Sequence, residues 1–194
     1  MRHIARFAIV TLTAALSLAC VSGCARSAEP AQAAAAVVPP EASKPPIGFT
    51  DGAVSVDALI DAFLSAVERK DREALHRLRV TKDEYMQIVV PGTTEPGQPP
   101  RQITEQPREL FWSLSDTKSQ YAAQNILQHF GGKHVLARTL RFTHGTTDYL
   151  WYVARGQVRL DLTLEGEALP DELRTGTIAE VDGRYKFLAF QWNN

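Results

Sequence analysis

The cysteines carry the most distinctive chemistry in this chain, and both lie near its beginning. The 194 residues contain two cysteines, Cys20 and Cys24. A thiolate can act as a nucleophile or bind zinc, and two thiols can form a disulfide. Since residues 25–194 contain no cysteine, that part of the chain has no disulfide framework, thiolate zinc site or cysteine nucleophile.

The histidines do not have the spacing of a metal site. His129, His134 and His144 fall at a predicted helix end, a strand start and a turn, and no pair has the i, i+4 spacing of a zinc-binding helix. The chain also lacks a glycine-rich phosphate loop, a nucleophile elbow and a dinucleotide fingerprint. The sequence therefore predicts no metal, no cofactor and no motif-based catalytic residue. An acid–base enzyme that uses only Asp, Tyr or Arg would leave no linear motif, so that alternative stays open.

The residues around the cysteines indicate export. Arg2 and Arg6 precede an apolar stretch over residues 7–19. A basic start, an apolar stretch of about 13 residues and small residues after it are typical of a secretory signal. The stretch is shorter than the roughly 20 residues of a transmembrane helix.

The end of this stretch resembles the lipobox of bacterial lipoproteins, in which the cysteine receives diacylglycerol and further acyl chains such as palmitate. The match is Val21-Ser22-Gly23-Cys24, whereas Cys20 follows Ser17-Leu18-Ala19, with a polar residue at the aliphatic position. We therefore expect residues 1–23 to be a signal peptide and Cys24 to be the lipidated residue. Ala25 after the cysteine resembles the pattern of Gram-negative lipoproteins that are exported to the outer membrane, so this resemblance implies an outer-membrane anchor facing the periplasm. An ordinary signal peptide with an incidental cysteine is the alternative.

Composition distinguishes a predicted tether from a predicted folded domain. Residues 24–48 are rich in alanine and proline without an apolar period, which favours an extended tether. Residues 49–194 suffice for a single domain with one core. The formal net charge is −1, and removing Arg2 and Arg6 makes it more negative. We therefore expect no nucleic-acid partner, and membrane contact through the lipid anchor alone.

Helical periodicity fills the first half of the domain. Ser55 and Asp71 are predicted N-caps, and Thr81 begins a capping-box pattern for a third helix that should end near Pro91. Pro107 suits the first turn of a fourth helix. Its apolar residues fall in two sets with different helical phases, which predicts a break or a kink near residues 115–116. Both sets are expected to face inward: Leu110, Phe111, Leu114, Ala123, Ile126, Leu127 and Phe130.

From Lys133 the apolar period changes to two, as in strands. The predicted strands cover about 134–143, 148–154, 157–165, 174–181 and 184–192. Two-residue turns are predicted at Asp182-Gly183, Arg155-Gly156 and Gly145-Thr146. This register places Arg138, Tyr149 and Trp151 on the apolar face, and Leu150 and Tyr152 on the polar face. The predicted fold is α+β, with N-terminal helices on one face of a curved antiparallel sheet of about five strands, a cone-like roll.

This order of elements, with stretches such as 58–78 and 176–190, resembles the nuclear-transport-factor-2-like fold. Residues 90–103 read as a loop, where many members have a short strand pair. The resemblance implies a cavity between the helices and the concave sheet. It implies no activity, because this fold hosts isomerases, hydratases and many non-catalytic domains.

Arg138 is the one charge on the predicted apolar face, so it needs a partner or a route to water. With Tyr149 and Trp151 it could line a cavity and anchor an anion or carbonyl, or it could pair with a carboxylate such as Glu84 and be structural. Leu150 and Tyr152 are candidates for a homodimer interface.

Three functions remain open. The leading hypothesis is a non-catalytic binding or accessory lipoprotein of the cell envelope, with a protein or a small molecule as ligand. The alternatives are a cavity enzyme for a small molecule and a self-associating scaffold.

Overall fold

The structure, a computed structural model, describes residues 44–169 and 172–192. The predicted signal peptide, the Cys24 lipidation site and most of the tether lie outside the described residues. The predicted α+β class is confirmed, with an open antiparallel sheet of six strands. The helical segments are α1 (Val56–Glu68), α2 (Arg72–Arg77), α3 (Lys82–Glu84), a π-helical turn (Tyr85–Val89), α4 (Val90–Gly92) and α5 (Glu105–Phe130). The strands are β1 (Val135–Phe142), β2 (Thr146–Asp148), β3 (Val153–Leu164), β4 (Glu167–Ala168), β5 (Leu173–Val181) and β6 (Arg184–Ala189).

The predicted helix caps are confirmed. The Ser55 hydroxyl accepts from the Ala58 amide at 3.0 Å, and the Asp71 carboxylate accepts from the Ala74 amide at 2.8 Å. Thr81 forms the predicted capping box with Glu84. Each cap supplies an acceptor to an amide that has no partner within its helix.

The third helix continues past its predicted end. It widens into the π-helical turn, in which the Val90 amide donates to the Tyr85 carbonyl, and it ends with α4, which contains Pro91. Proline lacks the amide that would continue this i→i−5 pattern to the Met86 carbonyl. That carbonyl accepts instead from the Arg108 guanidinium at 2.5 Å, so a side chain replaces the missing donor.

The predicted break in the fourth helix is wrong, because α5 is continuous over 26 residues. Its buried residues are Ser119, Ala122, Ala123 and Ile126. Leu110, Phe111 and Leu114 were expected to face inward, but they are exposed. On one uninterrupted helix, two apolar sets with different phases cannot face the same core. In the part of the chain that the structure describes, no helix is both long and apolar enough to span a bilayer.

The sheet has the order β1-β3-β5-β6, and β2 and β4 also pair with β3. β1 and β2 pair with successive parts of β3, through Phe142–Val158 and Thr146–Arg155. The predicted turn at Arg155-Gly156 is therefore wrong, since β3 runs through it with an irregular register between Arg155 and Val158. The predicted strand 148–154 is largely the loop between β2 and β3. The Asp182-Gly183 turn is confirmed between β5 and β6, with positive φ at both residues.

A second register shift lies in β1, between Ala137 and Thr139. Such a bulge adds one residue and reverses which side chains face inward. Leu136 was expected on the apolar face, but it is 52% exposed because it precedes the bulge. Leu140 and Phe142 follow the bulge and pack against the core as expected.

Two apolar clusters stabilise the sheet. The first joins α1, α2 and α5 to the strands and includes Phe63, Ile126 and Phe187. The second includes Phe49, Val80, Ile88, Tyr152 and Ala179. The neighbours Ile178 and Ala179 belong to different clusters, and adjacent strand residues point to opposite faces. Both faces of the sheet are therefore covered here, and the π-helical turn contributes to the second cluster.

Candidate functional site: an aromatic cluster beside a buried arginine

The three predicted cavity residues do not come together. Arg138 is exposed at the bulge of β1, opposite the part of β3 around Asp161. Tyr149 and Trp151 are half-buried in the loop before Val153. Eight residues of β3 separate these positions, about 26 Å along an extended strand. The predicted interior position of Arg138 is therefore wrong, because it assumed uninterrupted alternation along β1, which the bulge between Ala137 and Thr139 breaks. Glu84, its suggested partner, pairs with Lys186 instead.

The two predicted interface residues are not on an exposed sheet face. Leu150 is half-buried, and its amide donates to the Thr94 carbonyl at 2.9 Å and the Gly92 carbonyl at 3.2 Å. Tyr152 is only 5% exposed. Both residues lie in the loop between β2 and β3, which folds onto the segment after α4. The predicted exposure of Tyr152 is therefore wrong.

Five aromatic residues from three segments instead form one group, which we call the aromatic cluster. Its members are Tyr85, Trp112, Tyr149, Trp151 and Tyr152. The rings of Tyr149 and Tyr152 stack with centroids 4.8 Å apart, and those of Tyr85 and Trp112 lie 5.3 Å apart. Tyr85, Tyr149 and Trp151 pack against the core cluster that contains Tyr152. Tyr152 is buried and the other four are half-buried, so the cluster reaches the surface.

The segment after α4 fixes the loop of the aromatic cluster. A Cβ on Gly92 would lie 3.1 Å from the Trp151 Cβ, so a larger residue there would push the indole away. The Thr93 hydroxyl lies 2.9 Å from the Tyr152 hydroxyl and donates to the Val89 carbonyl at 2.5 Å. Since that hydroxyl has one proton, the Tyr152 hydroxyl is the donor between the two side chains.

Burial sets the protonation of these tyrosines. It raises the pKa of Tyr152 to about 12; the hydrogen bond with Thr93 opposes this shift, and the nearby Tyr149 and Tyr85 add to it. Burial also raises the pKa of Tyr85. Both shifts lead away from neutral pH, so the two phenols stay protonated there.

Arg79 lies beside the cluster with spare hydrogen-bonding capacity. Its side chain is 3% exposed, and its Nη1 lies 2.9 Å from the Asp116 Oδ1. Its guanidinium carbon is 5.6 Å from the ring centre of Trp112, within range of a cation–π interaction. Its Nε and Nη2 are buried and have no hydrogen-bond partner among residues 44–169 and 172–192. Buried polar groups without a partner are uncommon, and each costs free energy.

Further hydrogen bonds surround Arg79. The other oxygen of Asp116 accepts from the Gln120 amide at 2.7 Å. The Val80 amide donates to the Phe187 carbonyl, and the Phe187 amide donates to the Leu78 carbonyl, each at 2.9 Å. The backbone on both sides of Arg79 is therefore attached to β6. The aromatic cluster and Arg79 together form a small group of stacking faces and N–H and O–H donors.

The face of β1 and β3 that includes Arg141 and Asp161 carries a group of ion pairs. Arg141 pairs with Asp161 at 3.0 Å and also with Glu172, and Arg159 pairs with Glu172 at 3.0 Å. The hydrogen bond from Thr139, followed by the charge of Arg141, lowers the pKa of Asp161. The Arg141 side chain is 55% exposed, and ion pairs that water reaches in this way contribute little to stability. Within residues 44–169 and 172–192, no three His, Cys, Asp or Glu residues are placed to hold a metal ion.

Sequence reasoning missed Arg79, Tyr85 and Trp112 as site residues. The available signal was a charge between two apolar residues, Leu78-Arg79-Val80, beside an edge of the core. The chain matches no family model, no curated protein and no solved structure.

Proposed function

We propose that this chain is a lipid-anchored lipoprotein of the cell envelope, and that its domain is a non-catalytic binding module. In this proposal Cys24 carries the lipid that inserts into the outer membrane. Residues 24–48 are the tether between that membrane and the domain, which lies in the periplasm. The aromatic cluster with Arg79 is the binding surface. The observation that carries the binding role is the buried guanidinium of Arg79 beside half-buried rings, with two nitrogens that have no hydrogen-bond partner in the described part of the chain.

The chemistry of these side chains selects the ligand class. Rings of Trp and Tyr offer apolar stacking faces, and guanidinium nitrogens donate to carboxylate or carbonyl oxygens. A ligand with a ring and a carboxylate would satisfy both. A small number of polar groups within an apolar surface is typical of sites that bind small molecules or peptide ends.

Binding is better supported than acid–base catalysis. A general acid or base works best when its pKa lies near the working pH, and Tyr152 and Tyr85 have pKa values shifted upward. The cavity-enzyme alternative placed Arg138 in an interior cavity, and its exposed position removes the side chain meant to orient the substrate. Both phenols therefore stay protonated, Tyr152 donates its proton to Thr93, and the half-buried ring of Tyr85 serves as a stacking face.

The proposal includes a curved, cone-like sheet. Register shifts lie at Ala137/Thr139 in β1, at Arg155/Val158 in β3 and next to Gly176 in β5. Bulges bend and twist the strands that carry them. Their occurrence on three neighbouring strands supports a curved sheet with helices against its concave side.

The test uses the full chain in detergent and a defined probe. The tripeptide Ala-Ala-Phe offers one ring and one terminal carboxylate. The same tripeptide with a C-terminal amide lacks the negative charge and is the comparison. Calorimetry should show binding of the free acid that is at least tenfold tighter than that of the amide. Trp112→Ala should weaken binding at least tenfold, because it removes the ring beside Arg79.

Trp192→Ala is the matched control. Trp192 is also half-buried but packs against His129 at 4.6 Å, on another side of the domain. It should leave the affinity within twofold of the unsubstituted protein. No binding of the free acid at millimolar concentration, or equal weakening by both substitutions, would refute this binding surface.

A further inference from the structure

One face of α5 is uncharged over its whole length. Six residues on it follow alternating steps of four and three: Leu110, Leu114, Thr117, Tyr121, Gln124 and Gln128. All six are exposed, and they lie opposite the buried Ser119, Ala122, Ala123 and Ile126. We call this face the α5 seam. In a chain with 22% charged residues, a surface helix would ordinarily place charges there.

The seam is also the main exposed apolar surface in the described part of the chain. Its apolar members Leu110, Leu114 and Tyr121 are 57%, 51% and 61% exposed, and Phe111, which flanks the seam, is 45% exposed. These side chains together offer an apolar area on the order of 400 Å². Patches of this size commonly mark interaction sites, whereas single exposed apolar residues do not.

We infer that the α5 seam binds the same seam of a second copy of this chain. Alternating steps of four and three keep one face of a helix against another helix, as in coiled coils. Because the seam is uncharged, two copies can meet without repulsion between like charges within it. A face that pairs with itself closes a two-fold dimer. This inference does not depend on the proposed ligand or lipid anchor.

Charge complementarity at the helix ends favours an antiparallel pair. In that arrangement Leu110 faces Gln128 of the other copy, and Thr117 faces Tyr121. The acidic start of α5 at Glu105 then approaches the other copy's Lys133 and a cleft lined by Lys70 and Arg72. A parallel pair would place the acidic starts of the two α5 helices side by side and would align the two helix dipoles in the same direction, and both arrangements are unfavourable.

The contact area fits a modest dimer. From Leu110 to Gln128 the seam extends about 27 Å. With the flanking residues, a helix pair of this length buries on the order of 1,000 Å², the lower end for specific interfaces. Lys118 flanks the centre of the seam and lies near Lys118 of the second copy across the two-fold axis. Repulsion between these two positive charges weakens the dimer.

Sedimentation velocity of the full chain in density-matched detergent tests the inference. The unsubstituted chain should form dimers that dissociate on dilution. Leu114→Lys should raise the dissociation constant at least 30-fold, because it places a charge at the contact. Leu136→Lys is the matched control, since Leu136 is 52% exposed but lies on β1. It should change the constant by less than threefold.

A compensating pair of substitutions tests the orientation. Tyr121→Lys alone should dissociate the dimer, and Thr117→Glu with Tyr121→Lys should restore it, because residues 117 and 121 face each other only in the antiparallel pair. A monomer at every concentration, as expected if residues 1–43 cover the seam, would overturn the inference. So would a dimer that Leu114→Lys leaves intact. Failure of the double substitution to restore the dimer would overturn the antiparallel arrangement.

Discussion

Lys186 Nζ lies 2.9 Å from Glu84 Oε1 and 3.0 Å from Oε2, and the two side chains are 3% and 1% exposed. The same carboxylate accepts from the Thr50 amide and the Thr81 amide, each at 2.7 Å. One buried ion pair therefore joins β6, the start of α3 and the segment that precedes α1. Each oxygen of the Glu84 carboxylate accepts hydrogen bonds from a backbone amide and from Lys186. A buried charge is tolerated only when it is paired and hydrogen-bonded in this way.

Lys186→Met should strongly destabilise the domain. The substitution leaves the Glu84 carboxylate buried without its counter-charge, which costs about 3–5 kcal/mol. Urea unfolding followed by circular dichroism measures this loss. Lys44→Met, at an exposed lysine, should change the unfolding free energy by less than about 0.5 kcal/mol. Equal effects of the two substitutions would show that the pair is not a stabilising contact.

Tyr152 should make folding sensitive to alkaline pH. Its pKa rises from 10.0 to about 12 on folding, so the folded state holds the phenol proton more tightly than the unfolded chain. This contribution to stability is fully present below pH 10 and is lost as the pH rises to about 12, by roughly 2–3 kcal/mol.

Tyr152→Phe removes that titration and is the comparison. The variant should lose about 1 kcal/mol near neutral pH, because it lacks the hydrogen bond with Thr93. The difference between the two proteins should shrink or reverse above pH 10. Urea unfolding from pH 8 to 12 gives both curves, and parallel curves would show that Tyr152 has no raised pKa.

Gly176 should tolerate no side chain. Its φ is 111°, and an added Cβ would lie 1.9 Å from the Ala189 carbonyl oxygen. Gly176→Ala should therefore cost more than about 3 kcal/mol, from backbone strain and overlap together. Gly183→Ala is the control for strain alone, since Gly183 has a φ of 70° and no atom of the described residues beyond its immediate chain neighbours would lie within 4 Å of an added Cβ. It should cost about 1–2 kcal/mol, and similar losses at both sites would contradict the close contact at Gly176.

Local signals predicted the helix starts and one hairpin. Ser55, Asp71 and Thr81 each place a side-chain oxygen three residues before an amide without a partner, a contact that depends on adjacent sequence alone. Asp182-Gly183 encodes the left-handed conformation of a tight hairpin turn. These features need no knowledge of the rest of the chain, and the structure contains all of them.

The sheet register could not be predicted, because it depends on bulges. The sequence around Arg155-Gly156 looks like a turn, but β3 continues through it, and the Gly156 amide donates to the Gly145 carbonyl at 2.8 Å. A one-residue shift at Arg138 likewise reverses the faces of β1. An alternating pattern gives no sign of an extra residue, so Leu136 and Arg138 were placed inside.

The errors in register also led to the wrong prediction of the candidate site. Tyr149, Trp151 and Tyr152 were assigned to strand faces, although they form a loop that packs against Thr93 and Tyr85. Arg79 joins them only because β6 pairs beside it. Contacts between segments far apart in sequence bring these residues together, and local periodicity does not encode them.

Lipid attachment at Cys24 is the claim on which the cellular role depends, and metabolic labelling tests it directly. Cells that express the full chain are grown with an alkyne-bearing palmitate analogue, and the protein is detected after coupling to a dye. The unsubstituted chain and Cys20→Ala should carry the label and remain in the membrane fraction. Cys24→Ala should lose the label and leave that fraction, because the acceptor thiol is gone. Undiminished labelling of Cys24→Ala would contradict the anchor.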